Sequence, residues 1–231
     1  MKNIVYIGEK SNMDFGVVVT KLPDVQLAAE RGEWVQIQGK SGEVFVSGDA
    51  LEDVTIPLPI WIPPGADMAE ISRWIRGERR IRVEGWPWFW VGRLMSTAAL
   101  PACVGNDGWS ATLMFKCQPH RYVWPEADPI TLASSKVIQS PANADSLPLI
   151  TVSGSGDVTL MINDTSVLLL DMAESVVLDC DAKTARTISG AQATGRIKTY
   201  GGWPKLAPGS NAINWTGGAT SVKITPRWRD E

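Results

Sequence analysis

His120 is the only histidine in the chain, so any Ser-His-Asp or Cys-His chemistry would have to run through it. It stands between Pro119 and Arg121, in a linker-like segment with no nucleophile motif beside it. General-base catalysis needs a held, oriented imidazole, and this context offers none. The cysteines, Cys103, Cys117 and Cys180, are odd in number and show no CxxC spacing, which predicts buried free thiols rather than a disulfide framework or a zinc site. Two carboxylates flanking a glycosidic bond would be the signature of a glycosidase. Glu52-Asp53 and Asp179/Asp181 offer such pairs on paper, but they fall at strand or turn ends, where acids are solvated by default. Asp14-Phe15-Gly16 spells the metal-binding tripeptide of protein kinases without a glycine-rich loop, strand lysine or HRD loop ahead of it, and reads as a turn. Gly154-Ser-Gly156-Asp157 precedes an alternating strand rather than a helix, which predicts a hairpin turn and not a dinucleotide loop. Asn163-Asp-Thr165 and Asn214-Trp-Thr216 have the glycosylation pattern but no secretory signal to give it meaning. No catalytic residue, metal or cofactor is expected, and the chain does not read as an enzyme.

Tryptophan is the unusual component: 11 Trp against 3 Tyr and 4 Phe. Trp86-Pro-Trp88-Phe-Trp90 is the sharpest local signal. In a strand, Trp88 and Trp90 face one side and Phe89 and Val91 the other. Such a face suits core packing, a subunit interface, where Trp is enriched, or a stacking platform for sugars or single-stranded bases. The last use would make the chain a carbohydrate-binding module or a glycosidase-associated β-sandwich.

Composition narrows the partners. The net charge is -3, from 22 Lys+Arg against 25 Asp+Glu, so there is no overall basic footprint for nucleic acid. Arg73, Arg76, Arg79, Arg80 and Arg82 form a local basic run, read as a solvated helix end and turn. No apolar run approaches the ~20 residues that cross a bilayer, and the opening Met1-Lys-Asn-Ile-Val-Tyr-Ile-Gly8 is too soon polar for a signal peptide. The chain is expected to be made, and to fold, in a cytoplasm, without membrane insertion.

The elements that position these residues read as strands. Ile4–Ile7, Phe15–Val19 and Trp34–Gln38 are short runs, the last leading to a turn at Gly39 and Gly42. Val54, Ile56, Leu58, Ile60 and Ile62 alternate on one face, while Pro57 and Pro59 on the opposite phase mark an edge or bulged strand. Trp109–Cys117 alternates as well. One short helix of about ten residues follows Pro63-Pro64-Gly65, with Asp67 as cap, Glu70 completing a D-x-x-E box and Gly77 as stop. After Cys117 the texture becomes rich in Pro, Ser and Asn. Seven strand candidates then run from Leu149 to Thr225, with Ala212–Trp215 and Ser221–Thr225 separated at Gly217-Gly218. This predicts a mainly β protein: a first domain at 1–130, a linker at 131–148 and a β-sandwich at 149–231.

In this order the features resemble the distal tail (Dit) proteins of long, non-contractile-tailed bacteriophages. The resemblance is carried by Ser11-Asn-Met-Asp14-Phe15-Gly16, a Gly39–Glu43 turn, Leu51-Glu52-Asp53-Val-Thr-Ile56, a helix ending Trp74-Ile-Arg-Gly77, an aromatic strand and Phe115-Lys-Cys117-Gln-Pro119. Further on it rests on Leu147–Leu160 with Gly156, on Trp203-Pro204-Lys-Leu-Ala-Pro-Gly209 and on Pro226-Arg227-Trp228-Arg229. It implies an N-terminal split β-barrel "belt" with one short helix and a C-terminal galectin-like β-sandwich. It also implies a virion protein at the tail tip, forming a hexameric ring that joins the tail tube protein to the tail hub or baseplate and mounts fibres or receptor-binding proteins. Trp74, Trp86, Trp88 and Trp90 are the candidate subunit-interface residues. The C-terminal half is compact, with no room for an inserted arm or carbohydrate-binding module. A galectin-like shape does not itself imply sugar binding.

Overall fold

Strict alternation builds the core of the first half of the chain: Val54, Ile56, Leu58, Ile60 and Ile62 are all buried on one face. The computed structural model describes residues 2–96 and 107–231; Cys103 lies outside the described residues. The chain divides into two compact units, Met1–Arg121 with Glu231, and Tyr122–Asp230.

The first unit contains β1 (Val5–Ile7), β2 (Lys10–Ser11), β3 (Val18–Val19), β4 (Glu30–Gln36), β5 (Glu43–Leu51), β6 (Val54–Ile62), the helix α1 (Met68–Ile75), β7 (Glu78–Val83), β8 (Trp88–Ser96) and β9 (Trp109–Cys117). Its main sheet runs β2-β1-β7-β8-β9-β6-β3, an open path among the described residues. Ile7, Ile56, Ile81, Trp90 and Phe115 meet in one core with Ile71 and Trp74 of α1. The helix begins where expected: the Asp67 carboxylate accepts from the N–H groups of Ala69 and Glu70 at 2.9 and 3.1 Å, satisfying two donors the first turn leaves open. A glycine with φ 82° follows at Gly77. The Phe15–Val19 strand is not formed as expected. Asn12–Phe15 is a 3-10 turn, and only Val18–Val19 pairs. Buried Asn12 is the reason: its Oδ1 accepts from the Val5 N–H at 2.8 Å and its Nδ2 donates to the Val17 carbonyl at 2.8 Å, fixing a turn there.

The Pro-marked strand is also not a bare edge. β6 pairs with β9 along its whole length, Val54 opposite Cys117 to Ile62 opposite Trp109. On its other side β3 covers only Trp61 and Ile60, and the Pro59 carbonyl accepts from Thr20 at 3.0 Å. Pro57 and Pro59 are tolerated because that outer side is mostly unpaired.

Next come β10 (Arg121–Val123), β11 (Ile130–Leu132), β12 (Lys136–Ser140), β13 (Leu149–Ile162), β14 (Thr165–Met172), β15 (Val176–Asp179), β16 (Thr184–Thr187), β17 (Ile197–Tyr200), β18 (Gly209–Thr225) and β19 (Arg229–Asp230). The span 131–148 is not a linker: β11 and β12 both pair with β18 and belong to the second unit. Its Ser and Pro residues mark turns around short strands, and composition alone does not separate the two cases.

The backbone of the second unit is the antiparallel pair β13–β18. Gly154–Asp157 is no hairpin but a bulged crossing within β13, and Gly217-Gly218 no turn but its counterpart within the continuous β18. A Cβ on Gly154 would lie 2.2 Å from the Gly218 carbonyl oxygen, and one on Gly217 would lie 2.1 Å from that of Asp157. Gly154, Gly217 and Gly218 thus let the strands approach where side chains would hold them apart. Gly156, at φ 73°, takes a left-handed conformation in the same crossing. Bulges bend a strand pair, and both halves of this one contribute to a single core, Ile150, Val152, Val222 and Ile224 from one and Leu160, Ile162 and Ile213 from the other. β15 and β11 extend the first half, β14 and β12 the second. The product is a β-sandwich.

Candidate assembly interface

The first unit carries an unsupported arm. Among the described residues β4 and β5 pair only with each other, in register from Gly32 opposite Ser47 to Gln36 opposite Glu43. Every residue of β4 is exposed, Trp34 at 66%. Trp34 and Phe45 are opposite one another with ring centroids 5.2 Å apart. Gly32 makes room for them, since a Cβ there would lie 2.6 Å from the Phe45 ring and 2.3 Å from the Val46 carbonyl oxygen. Period two places Glu43 on the Trp34–Phe45 face, and Glu30 reaches it through its contact with the Ser47 hydroxyl. An isolated two-stranded hairpin is marginal in water, so an arm of this kind calls for a surface to lie on.

A groove of ≈ 470 Å³ opens elsewhere on the same unit, lined among others by Lys10, Phe15, Arg73, Trp74, Arg79 and Arg80, with Glu9, Glu70 and Glu78 also on its walls. Its floor is aromatic. Phe15 stacks on Trp74 at 4.8 Å, and the Trp74 indole N–H donates to the Lys10 carbonyl at 3.0 Å. The Asp14-Phe15-Gly16 tripeptide supplies this floor as a turn. The Asp14 carboxylate accepts from the Ser11 N–H at 2.7 Å, and Gly16 closes the turn at φ 66°. Lys10 Nζ lies 5.4 Å from the Phe15 ring centroid, and the Arg79 stem crosses over Gly8, where a Cβ would come within 3.3 Å of it.

The aromatic strand packs inward. Trp90 is fully buried, Trp86 lies at its edge with ring centroids 5.6 Å apart, and Trp86 and Trp88 are separated by 5.3 Å. The Arg121 guanidinium stands over Trp88 at 5.3 Å. The indole N–H groups of Trp88 and Trp90 are buried without a hydrogen-bond partner among the described residues. Glu52 pairs with Arg31 at 3.0 Å and Asp53 with Lys116 at 3.2 Å, both on exposed surface. Cys117 is buried in β9, and burial first, then the Asp53 charge, pushes its thiol up to about 12. Cys180 is driven to the same value, chiefly by burial. Neither thiol is a nucleophile at neutral pH. Pro119 lies in the bend after β9.

In the second unit the family-motif residues hold the chain end. Arg227 adopts φ 55°, rare for a residue with a side chain, and makes a two-pronged contact with Asp179 at 2.8 and 3.1 Å. Burial raises the Asp179 carboxyl. The Arg227 hydrogen bond, N–H donors from Ala182 and Asp181 and the Arg227 charge outweigh that and hold it below its ordinary value. Trp228 is buried in the core, and its carbonyl accepts from the Val123 N–H at 3.0 Å. Pro204 is buried, and Gly209 starts β18 at φ 80°. Trp203 and Trp215 pack partly buried against the core instead of forming an open platform. A cavity of ≈ 220 Å³ between β14 and the segment before β17 is lined by Leu169, Met172, Val176, Ala193 and Arg196, with Asp171 and Glu174 also on its walls. Among the described residues no group of three or more His, Cys, Asp or Glu side chains could hold a metal ion, and no helix is long and apolar enough to cross a membrane.

Of the sequence-derived site residues, the structure brings together Phe15 with Trp74, and Trp86 with Trp88 and Trp90. Sequence reading passed over Trp34 as one residue of an ordinary strand. The signal available was the spacing of Gly32, Trp34 and Phe45 about the Gly39 and Gly42 turn, where a glycine opposite the partner strand makes room for an aromatic pair.

A sheet-built unit with one short helix, followed by a β-sandwich, is a fold this chain shares with a solved phage distal tail protein. The crystal structure of phage SPP1 Dit (gp 19.1), described as a paradigm of the hub adsorption apparatus in phages infecting Gram-positive hosts, is similar with a TM-score of 0.68 and 13% identity, covering 97% of this chain and 98% of that one. The phage P2 baseplate in its activated conformation with Ca contains a chain similar at a TM-score of 0.57 and 10% identity, over 100% of this chain and 99% of that one. The Sr form of the p2 baseplate gives 0.54 and 10%. No family model and no curated protein sequence matches the chain. The likeness is one of fold.

Proposed function

We propose that this chain is a structural, non-enzymatic protein of a phage tail tip. It forms a hexameric ring that joins the tail tube to the hub or baseplate and mounts host-adhesion components. The observation that carries the reading is coverage: both units, in the same order, are similar to SPP1 Dit over 97% of this chain and 98% of that one. A generic β-sandwich would match the second unit alone. The first unit, with its arm and groove, supplies the ring, Trp74, Trp86 and Trp88 lying in or beside the subunit contact, while Trp90, fully buried, backs them from the core and is not itself a contact residue. The sandwich presents the mount for tail fibres or receptor-binding proteins. Partners are other copies of the chain, the tube protein and the hub protein, in the virion. Gold-labelled antibody against the chain, applied to virions of the phage that encodes it, is expected to mark the distal end of the tail. Label on the capsid or along the tube, or a chain found only outside particles, would refute the assignment.

A further inference from the structure

The basic run and the exposed arm are the two features of the first unit that its own core does not use. Between Glu30 and Glu52 the chain has five acidic residues against Arg31 and Lys40. Between Glu70 and Arg82 the proportion inverts: five arginines against Glu70 and Glu78. The arm presents aromatic Trp34 and Phe45 with Glu43 and Glu30 on one face. The groove presents aromatic Phe15 and Trp74 beneath Lys10, Arg73, Arg79 and Arg80. Aromatic character and charge are therefore complementary within one sequence, Lys10, Arg73, Arg79 and Arg80 outnumbering Glu9, Glu70 and Glu78 in the groove, while among the described residues the arm pairs with no other sheet.

We infer that the arm of one copy docks in the α1–β7 groove of the next, Trp34 on the aromatic floor and the Glu30 and Glu43 carboxylates against the arginines. The contact joins two different patches, so it is head-to-tail and propagates around a ring until the rotation closes. It rests on the proposed self-assembly and adds which surfaces meet. Opposite potentials also set the register and disfavour arm-to-arm pairing.

The test is a charge exchange in the full chain, read as particle mass in solution. One variant carries Glu30→Lys and Glu43→Lys, another Arg73→Glu and Arg79→Glu; all four side chains are exposed, and circular dichroism confirms the fold of each. Each alone is expected to associate roughly tenfold or more weakly than the unaltered chain. An equimolar mixture is expected to recover assembly, because each reversed patch then meets a reversed partner in alternation. A single chain with all four substitutions is expected to recover it too. If the single variants assemble as well as the unaltered chain, the docking is wrong while the ring stands. If they fail and neither the mixture nor the fourfold variant recovers, the docking is likewise wrong. If the unaltered chain stays monomeric at its highest soluble concentration and on tails, docking and ring fall together.

Discussion

At Arg227 a residue with a full side chain occupies left-handed backbone, and the carboxylate of Asp179 makes that conformation worth keeping. The pair is about a quarter exposed, at 29% and 28% for the two side chains, so solvent screens it only in part. Charge-assisted hydrogen bonds of this kind contribute about 1.5–3 kcal/mol. Asp179→Asn is expected to lower the stability of the second unit by roughly that amount at neutral pH, measured by denaturant unfolding with hydrogen exchange over Tyr122–Asp230. The pH dependence follows from the depressed carboxyl. Its contribution is fully present above the ordinary value of 3.8 and is lost as pH falls through the lower folded-state value. The Asn variant should show a shallower acid dependence. Equal unfolding midpoints for the two proteins at neutral pH would show that the clamp does not hold the chain end.

At the scale of elements, the crossing of β13 and β18 depends on what is missing from three glycines, Gly154, Gly217 and Gly218. Gly217→Ala would place a methyl 2.1 Å from the Asp157 carbonyl oxygen on a backbone at φ 88°. Overpacking of this sort costs about 1–3 kcal/mol, and the left-handed backbone adds strain. Thermal unfolding should show the loss, with the sandwich signal falling first. Gly195→Ala, which has open space around it, serves as the control. The same crossing marks where sequence reading stopped. Gly154-Ser-Gly-Asp and Gly217-Gly have the composition of turns, and only the pairing of one with the other, far apart in the chain, reveals bulges in two long strands. Local chemistry was legible where it is decided locally. The alternation of Val54–Ile62, the Asp67 cap and the Gly77 stop all follow from adjacent residues. The turn at Asn12 was not legible, because its hydrogen bonds reach back to Val5. The arm was half legible: its strand and its Gly39 and Gly42 turn were, its isolation from every other sheet was not, since nothing in Trp34-Val-Gln-Ile-Gln38 says that no third strand will come.

For the whole molecule, the proposed role of shape and contact rests on the order of the two units and their joint likeness in fold to SPP1 Dit. Its described thiols are buried, and most of its described tryptophans are buried or partly buried. The arm gathers exposed apolar side chains, Trp34, Val35 and Val46 among them, and its proposed complement is the groove between α1 and β7 on the same unit. Electron cryo-microscopy of intact tails from the encoding phage addresses the ring directly. Sixfold-symmetric density at the distal end of the tube, into which copies of this chain fit with each arm crossing the α1–β7 face of its neighbour, is the expected result. Density for this chain that is absent from the tube–hub junction, or present there as isolated copies without a closed ring, would contradict it.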